Sequence, residues 1–266
     1  MKKVKRTGAR SLKDIDPIIL SQLNEGIIES ANLTEWLAVD HTILIQSVLN
    51  TEYQKECLEE LELVKSKSTM IVIKTIGKYL FDKIEKDNNY KLFELLKNHP
   101  SDSVRCWCAY IIGFNTGLSI NDKLELIKEF ASDSHFGVRE IAWMAVRDEL
   151  AKNIETTIPI LEKWSQNDDP NIRRFALESI RPNGVWCKKI DQLKQNPELA
   201  LPILDNLKTD TSRYVQDSVA NWLNDASKTQ PKFVINTCKR WRGQSDSKET
   251  KYIIKRAMRS IKEDKI

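Results

Sequence analysis

The stretch Ser134-His-Phe-Gly-Val-Arg-Glu-Ile-Ala-Trp-Met-Ala-Val-Arg-Asp-Glu-Leu150 reads as one helix with two unlike faces. At about 100° per residue, Val138, Ala142, Ala145 and Val146 share an apolar stripe, while Glu140, Trp143 and Arg147 share the opposite side. Lysine and glutamate alone would make that side an ordinary solvated face. A carboxylate, an indole and a guanidinium together are a less common set. The helix recurs along the chain with its charges rearranged, and that recurrence decides the fold.

Four segments line up: Asp102-Ser-Val-Arg-Cys-Trp-Cys-Ala109, Asp133-Ser-His-Phe-Gly-Val-Arg-Glu-Ile-Ala-Trp143, Asp169-Pro-Asn-Ile-Arg-Arg-Phe-Ala-Leu177 and Asp210-Thr-Ser-Arg-Tyr-Val-Gln-Asp-Ser-Val-Ala220. Aligned on Val104, Val138, Ile172 and Val215, the intervals are 34, 34 and 43 residues. Each segment has a cap-forming Asp or Ser upstream, and Asp169-Pro170 is an N-cap followed by proline at the first helical position. Four residues after each anchor stands a small or short apolar residue (Cys108, Ala142, Ala176, Val219), where helices pack closely. Other helices fall between, at about 121–130, 154–164 and 199–207, with a weaker last unit at 248–262. Helix pairs at this period mean stacked repeats. The expected fold is all-α, a HEAT-like repeat solenoid of antiparallel helix pairs.

Arg105, Arg139 and Arg173 each follow an anchor directly, with an Asp upstream. That column suits side-chain ties between adjacent repeats, with phosphate binding as the alternative. Ahead of the repeats, Asp16-Pro17 starts a helix to about Asn24 and Thr34 caps one to about Asn50. Further helices follow at 52–65, 69–85 and 88–98. Residues 1–15 look flexible and basic. The expected organisation is one domain, with 1–98 an N-terminal helical part and 99–266 the repeats.

Composition narrows the function. The chain has 266 residues, a net charge of +4 and a pI near 8.6, so any nucleic-acid surface must come from local segregation of charge. Basic residues gather at the ends: Lys2, Lys3, Lys5, Arg6 and Arg10 in front, Lys251, Lys255, Arg256, Arg259 and Lys262 behind. Five cysteines in irregular spacing, with no C-x-x-C pair, argue against a disulfide framework. His41, His99 and His135 fit no zinc pattern. No signal-peptide core or membrane-length apolar run is present, so a cytoplasmic, monomeric protein is expected.

Compared across repeats, the back-face positions are Glu140, Trp143, Met144 and Arg147, then Arg174, Leu177, Glu178 and Arg181, then Asp217, Ala220, Asn221 and Asn224. The first unit offers only Cys106, Ala109, Tyr110 and Gly113. Three successive helices thus present a carboxylate, either as part of a binding surface or paired on their own helix, as Arg174 and Glu178 could be. Trp143 and the loop residue Trp186 are outward aromatics on which a base could stack. Trp107, Trp164 and Trp222 read as core.

Four blocks carry a resemblance: Glu29-Ser-Ala-Asn-Leu-Thr-Glu-Trp-Leu-Ala-Val-Asp40, Phe136-Gly-Val-Arg-Glu-Ile-Ala-Trp-Met-Ala-Val-Arg147, Arg173-Arg-Phe-Ala-Leu-Glu-Ser-Ile-Arg-Pro182 and Tyr214-Val-Gln-Asp-Ser-Val-Ala-Asn-Trp-Leu-Asn-Asp-Ala-Ser-Lys228. From about residue 25 to 242 the chain resembles the AlkC branch of the bacterial DNA alkylation repair proteins, the HEAT-like DNA glycosylases. Longer members append a β-sandwich domain that has no counterpart here, and Gln216 stands where an Arg is usual. The resemblance implies hydrolysis of the N-glycosidic bond of alkylated purines in double-stranded DNA, above all N3-methyladenine, with no metal or cofactor. It makes Glu140, Glu178 and Asp225 the catalytic candidates, Asp225 mainly on the Asn-Asp match. Trp143 would face the lesion, and Arg147, Arg181, Trp186, Asn224 and Lys228 would contact DNA, which the concave face is expected to bend. A catalytically silent DNA- or protein-binding module and a pure scaffold are the competing readings.

Overall fold

The computed structural model describes residues 6–261, and all regular structure among them is helical. In chain order the helices are α1 (Pro17–Asn24), α2 (Leu33–Ala38), α3 (His41–Val48), α4 (Thr51–Leu63), α5 (Thr69–Asp87), α6 (Tyr90–Lys97), α7 (Asp102–Phe114), α8 (Ile120–Ala131), α9 (Phe136–Lys152) and α10 (Ile154–Trp164). They continue as α11 (Pro170–Glu178), α12 (Asp191–Gln195), α13 (Leu201–Leu207), α14 (Arg213–Ala226), α15 (Pro231–Gln244) and α16 (Lys248–Ala257). Two compact units result, Met1–Ala145 and Val146–Ile266. They divide inside α9, and not at the 98/99 boundary read from the sequence.

In the first unit α4 packs on α5 and α5 on α7, with α6 and α8 beside α7. The α5–α7 approach depends on Gly77. A Cβ there would stand 2.4 Å from Tyr110 Cβ and 2.9 Å from the Trp107 carbonyl oxygen. In the second unit α11 packs on α14 and α14 on α16, while α10, α13 and α15 form the other layer. The repeat anchors Val104, Val138, Ile172 and Val215 are all buried, as are the small residues four positions on. Trp107, Trp164 and Trp222 lie in the core, and Cys106 and Cys108 are buried helix residues. This is the HEAT-like helical repeat fold that the spacing predicts.

The arginine column is structural. Arg105 donates from Nε and Nη2 to Asp133 at 2.8 and 3.1 Å, and from Nη1 to the His99 and Pro100 carbonyls. Arg173 repeats the pattern, with Asp210 at 2.6 and 3.0 Å and the Asn167 and Asp168 carbonyls. The accepting aspartate also takes a backbone N–H of its own turn, from His135 for Asp133 and from Ser212 for Asp210. Arg139 makes the same local bonds, to the Asp133 and Ser134 carbonyls. Gln216, in the fourth place, keeps only the bond from Nε2 to the Asp210 carbonyl, at 2.7 Å. Its Oε1 is buried without a partner among the described residues.

Several expectations change. The helix expected from Thr34 to Asn50 is two, because Val39 is extended and the Asp40 carboxylate accepts from the amides of Thr42 and Ile43 to start α3. Asn32, and not Thr34, caps α2. The flexible start expected over 1–15 holds for none of residues 6–9: Arg6 and the Ala9 amide donate to Glu35, and Asn32 donates to the Ala9 carbonyl. Residues 1–5 lie outside the described residues, as does Lys262. Helices α12 and α15 were missed: α12 is only five residues long, and α15 begins behind Pro231 without an N-cap side-chain bond.

Arg173→Gln reproduces at the third repeat what Gln216 does at the fourth. Loss of the charge-assisted bonds to Asp210 should cost ~1.5–3 kcal/mol in chemical denaturation. An unchanged midpoint would remove the arginine column as a stabilising device.

Candidate functional site

In the second unit the side chains with chemistry meet where α11 packs on α14. Arg181, just past the end of α11, joins two carboxylates. Its Nη1 donates to Glu178 Oε1 at 2.7 Å, and its Nε and Nη2 donate to Asp225 Oδ2 at 3.0 and 2.9 Å. Ser218 Oγ on α14 donates to the second Glu178 oxygen at 2.6 Å, and Arg174 stands 3.7 Å from it. Arg174 in turn lies 4.3 Å over the Tyr214 ring. Asp225 accepts from Lys228 at 3.3 Å. Glu178 is 3% exposed and Asp225 5%, whereas the Lys228 side chain is 53% exposed.

Burial alone would raise the Glu178 pKa. The Arg174 and Arg181 charges, with the hydrogen bonds from Arg181 and Ser218, outweigh it and hold the carboxyl below its ordinary value of 4.5. Two carboxylates sharing one guanidinium therefore form a fixed cluster, with neither oxygen pair free to turn.

In the first unit, Trp143 Nε1 donates to Glu140 Oε2 at 2.8 Å, three residues back on α9. Glu140 is half-buried and Trp143 is 1% exposed. The outward tryptophan expected from the helical wheel is therefore an interior ring whose N–H orients a carboxylate.

Arg147 is a larger departure. Also 1% exposed, it donates to the carbonyls of Ser179, Arg181 and Lys188. It stands under the loop after α11 and ties both ends of that loop together, so it offers no guanidinium to phosphate. Asn224 is also buried, donating to the Ala257 carbonyl at 3.1 Å, and so joins α14 to the end of α16. Arg181, expected on phosphate, is engaged by the two carboxylates.

The loop held by Arg147 carries Trp186. Ile190 N–H closes it on the Pro182 carbonyl, and Gly184 turns it at φ +59°. A Cβ at Gly184 would lie 2.2 Å from Cys187 Sγ and 2.9 Å from Arg147, so glycine is required twice over. Trp186 itself has φ +55° and is 60% exposed, between exposed Val185 and the exposed pair Lys188 and Lys189. A bulky residue in the left-handed region is strained backbone, held here by its surroundings. Sequence reasoning found Trp186 and Lys228 as outward residues and missed Ser218, whose position in the chain carries no signal that its hydroxyl meets Glu178.

A helical-repeat stack with buried carboxylates on its packed helices defines a class of protein. Residues 138–261 match the model of the DNA alkylation repair enzyme family. The chain is 40% identical over 137 residues to the Bacillus subtilis (strain 168) protein YhaZ, a match covering 52% of this chain and 37% of YhaZ. Its structure is similar to Pseudomonas fluorescens AlkC, an alkylpurine DNA glycosylase solved on DNA with an abasic site analog. That likeness has a TM-score of 0.65 and 23% identity, covering 95% of this chain and 65% of AlkC. AlkD2 from Streptococcus mutans is similar at a TM-score of 0.56 and 25% identity, covering 82% of this chain and 95% of AlkD2. The chain thus shares the fold of AlkC and AlkD2, and it spans about a third of the length of YhaZ and two thirds of that of AlkC.

The depressed Glu178 pKa has a signed consequence. Its contribution to stability is complete above the unfolded-state value near 4.5 and is lost as pH falls through the lower folded value. Denaturation of wild type and Glu178→Gln between pH 7 and 3 should show a stability gap that closes with acid. A gap constant with pH would mean that Glu178 is not held ionised. Arg147→Met should destabilise strongly, by ~3 kcal/mol or more for three abandoned carbonyls, without altering the salt dependence of DNA binding.

Proposed function

We propose that the protein is a DNA glycosylase that hydrolyses the N-glycosidic bond of alkylated purines, N3-methyladenine first among them. The observation that carries this is the hydrogen-bonded Glu178–Arg181–Asp225 cluster, which lies inside the stretch matching the DNA alkylation repair family. AlkC in complex with an abasic product analog, on the same fold, supports it.

N-alkylation leaves the base cationic, so it departs without being protonated and the enzyme needs no general acid. What remains is positive charge developing on the sugar and a water to be held against the anomeric carbon. Both tasks suit carboxylates that are ionised and orientationally fixed before the reaction. Asp225 is assigned these roles, with Glu140 in the first unit as the alternative candidate. Asp225 is fixed by Arg181, and Glu140 by the Trp143 N–H. Glu178, almost without solvent contact, acts as a positioning residue through Arg181. Trp186, Lys188, Lys189 and Lys228 are the exposed residues assigned to DNA, the ring by stacking and the ammonium groups on phosphate. No step in this chemistry calls for a metal or a nucleotide cofactor.

Single-turnover release of N3-methyladenine from methylated duplex DNA tests the proposal. Asp225→Asn should slow release by ~10²-fold or more while folding is retained, and the same loss in Glu140→Gln with Asp225→Asn unaffected would move the role to Glu140. Glu178→Gln should lower the rate at unchanged DNA affinity, because Arg181 then leans on Asp225 alone. The rate should be flat from pH 5 to 8, where a general acid would give a rate falling as pH rises. A folded, DNA-binding wild type that releases no base would make the protein a silent binding module.

A further inference from the structure

Charge is unevenly shared along this chain. Residues 6–145 carry 16 Lys and Arg against 21 Asp and Glu, whereas residues 146–261 carry 21 against 15. The modest net charge of the whole therefore hides a basic second unit. Many cations of that unit are engaged inside it: Arg173 on Asp210, Arg174 and Arg181 on Glu178, Arg147 on backbone carbonyls. The face shared by α14 and α16 is different.

Tyr252 on α16 donates its hydroxyl to Asp217 Oδ1 on α14 at 2.5 Å, which fixes the ring between the two helices. The Arg213 guanidinium, from the first turn of α14, lies 3.5 Å from the ring centroid, and that of Arg256 lies 5.6 Å from it. Arg256 Nε is 3.5 Å from Asp217, which is the one carboxylate in the group. Arg259 donates to the Arg256 carbonyl and to Asn221 Oδ1, both neutral acceptors. Arg213, Lys255 and Arg259 are exposed. Only Arg256 is thus set against a carboxylate, and the exposed Arg213, Lys255 and Arg259 have no carboxylate partner among the described residues.

Stacking restrains a guanidinium through its face and leaves its N–H edge open. An arginine laid on a tyrosine is therefore preorganised to donate in the ring plane, with much of the rotamer entropy of a free arginine already lost. The geometry of paired in-plane donors matches two oxygens of a phosphodiester. We propose that Arg213, Arg256 and Arg259, with Lys255, form a phosphodiester-binding strip on the terminal repeat, a second anchor for the DNA backbone beyond the carboxylate cluster. The inference rests on DNA being the partner, as in the proposed function, and extends it to residues that take no part in bond cleavage. A protein partner with an acidic surface is the outcome against which the test is set.

The test is binding of an undamaged duplex by the full chain, followed by fluorescence anisotropy at several salt concentrations. Counterion release makes the slope of log K against log salt a count of phosphate contacts, at ~0.9 per contact on B-DNA. Arg213→Gln and Arg259→Gln should each lower the slope by about 1, and the double variant by about 2. Lys239→Gln removes the same charge from an exposed position on α15, outside the strip, and should leave the slope unchanged. All three residues are exposed, so circular dichroism should show each variant folded at the assay temperature. A slope unchanged in the double variant, or lowered equally by Lys239→Gln, overturns the strip, as does a wild type without salt-dependent affinity for duplex DNA. Base release is a separate readout: a wild type that binds with the expected slopes yet releases no base refutes the glycosylase and leaves the strip standing.

Discussion

A carboxylate that serves two turns at once organises each unit. Asp133 and Asp210 accept the backbone amide of their own turn and the guanidinium of the preceding repeat, and that guanidinium also binds the carbonyls leading into its own helix. One aspartate and one arginine thereby set both the start of a helix and its distance from its neighbour. In a repeat protein each element touches only those beside it, so the arrangement must be fixed joint by joint. Apolar anchors supply most of the burial, but a smooth apolar seam tolerates sliding. Paired N–H donors on a carboxylate do not, because their geometry is satisfied at one offset.

The site is built on that constancy. Glu178 and Arg181, at the end of α11, meet Asp225 of α14 through bonds of 3.0 Å or less because α11 and α14 are held at a fixed offset. Placing charge in such a nearly dry setting costs desolvation, and each member here is compensated by at least two partners. A carboxylate that does not have to reorganise is suited to a reaction in which positive charge appears abruptly on the substrate.

Much of the fold was legible because helical period, caps and the 34-residue interval all point to one answer. Val138 and Ile172 lie in the core where the pattern puts them, and Asp169 caps α11 as its Asp-Pro pair predicts. The carboxylates were legible as residue types, whereas their partners were not. A helical wheel gives an angle about one axis and says nothing of what covers the far side. The loop that sits on Arg147 is folded back from residues 32 to 41 positions later in sequence, so an arginine that looks outward on the wheel is interior in the structure. Asn224 was misread for the same reason, since Ala257 is far along the chain. Trp186 could be read as exposed because no periodic pattern claims it, but its left-handed backbone is visible only in three dimensions.

The joint after α14 is made differently from those before it. With Gln216 in the arginine place and its side-chain oxygen buried unsatisfied, α14 and α16 are held by Tyr252 on Asp217, Asn224 on Ala257 and Arg259 on Asn221. In a linear array of nearest-neighbour couplings, opening fluctuations collect at the joint with the weakest coupling. Arg213 belongs to one side of this joint and Arg256 to the other. A polyanion spanning both would hold the two sides together, and by linkage its binding would stabilise the terminal repeat. The amides of α16 then become a natural gauge: their exchange with solvent tracks how tightly the last repeat is clasped.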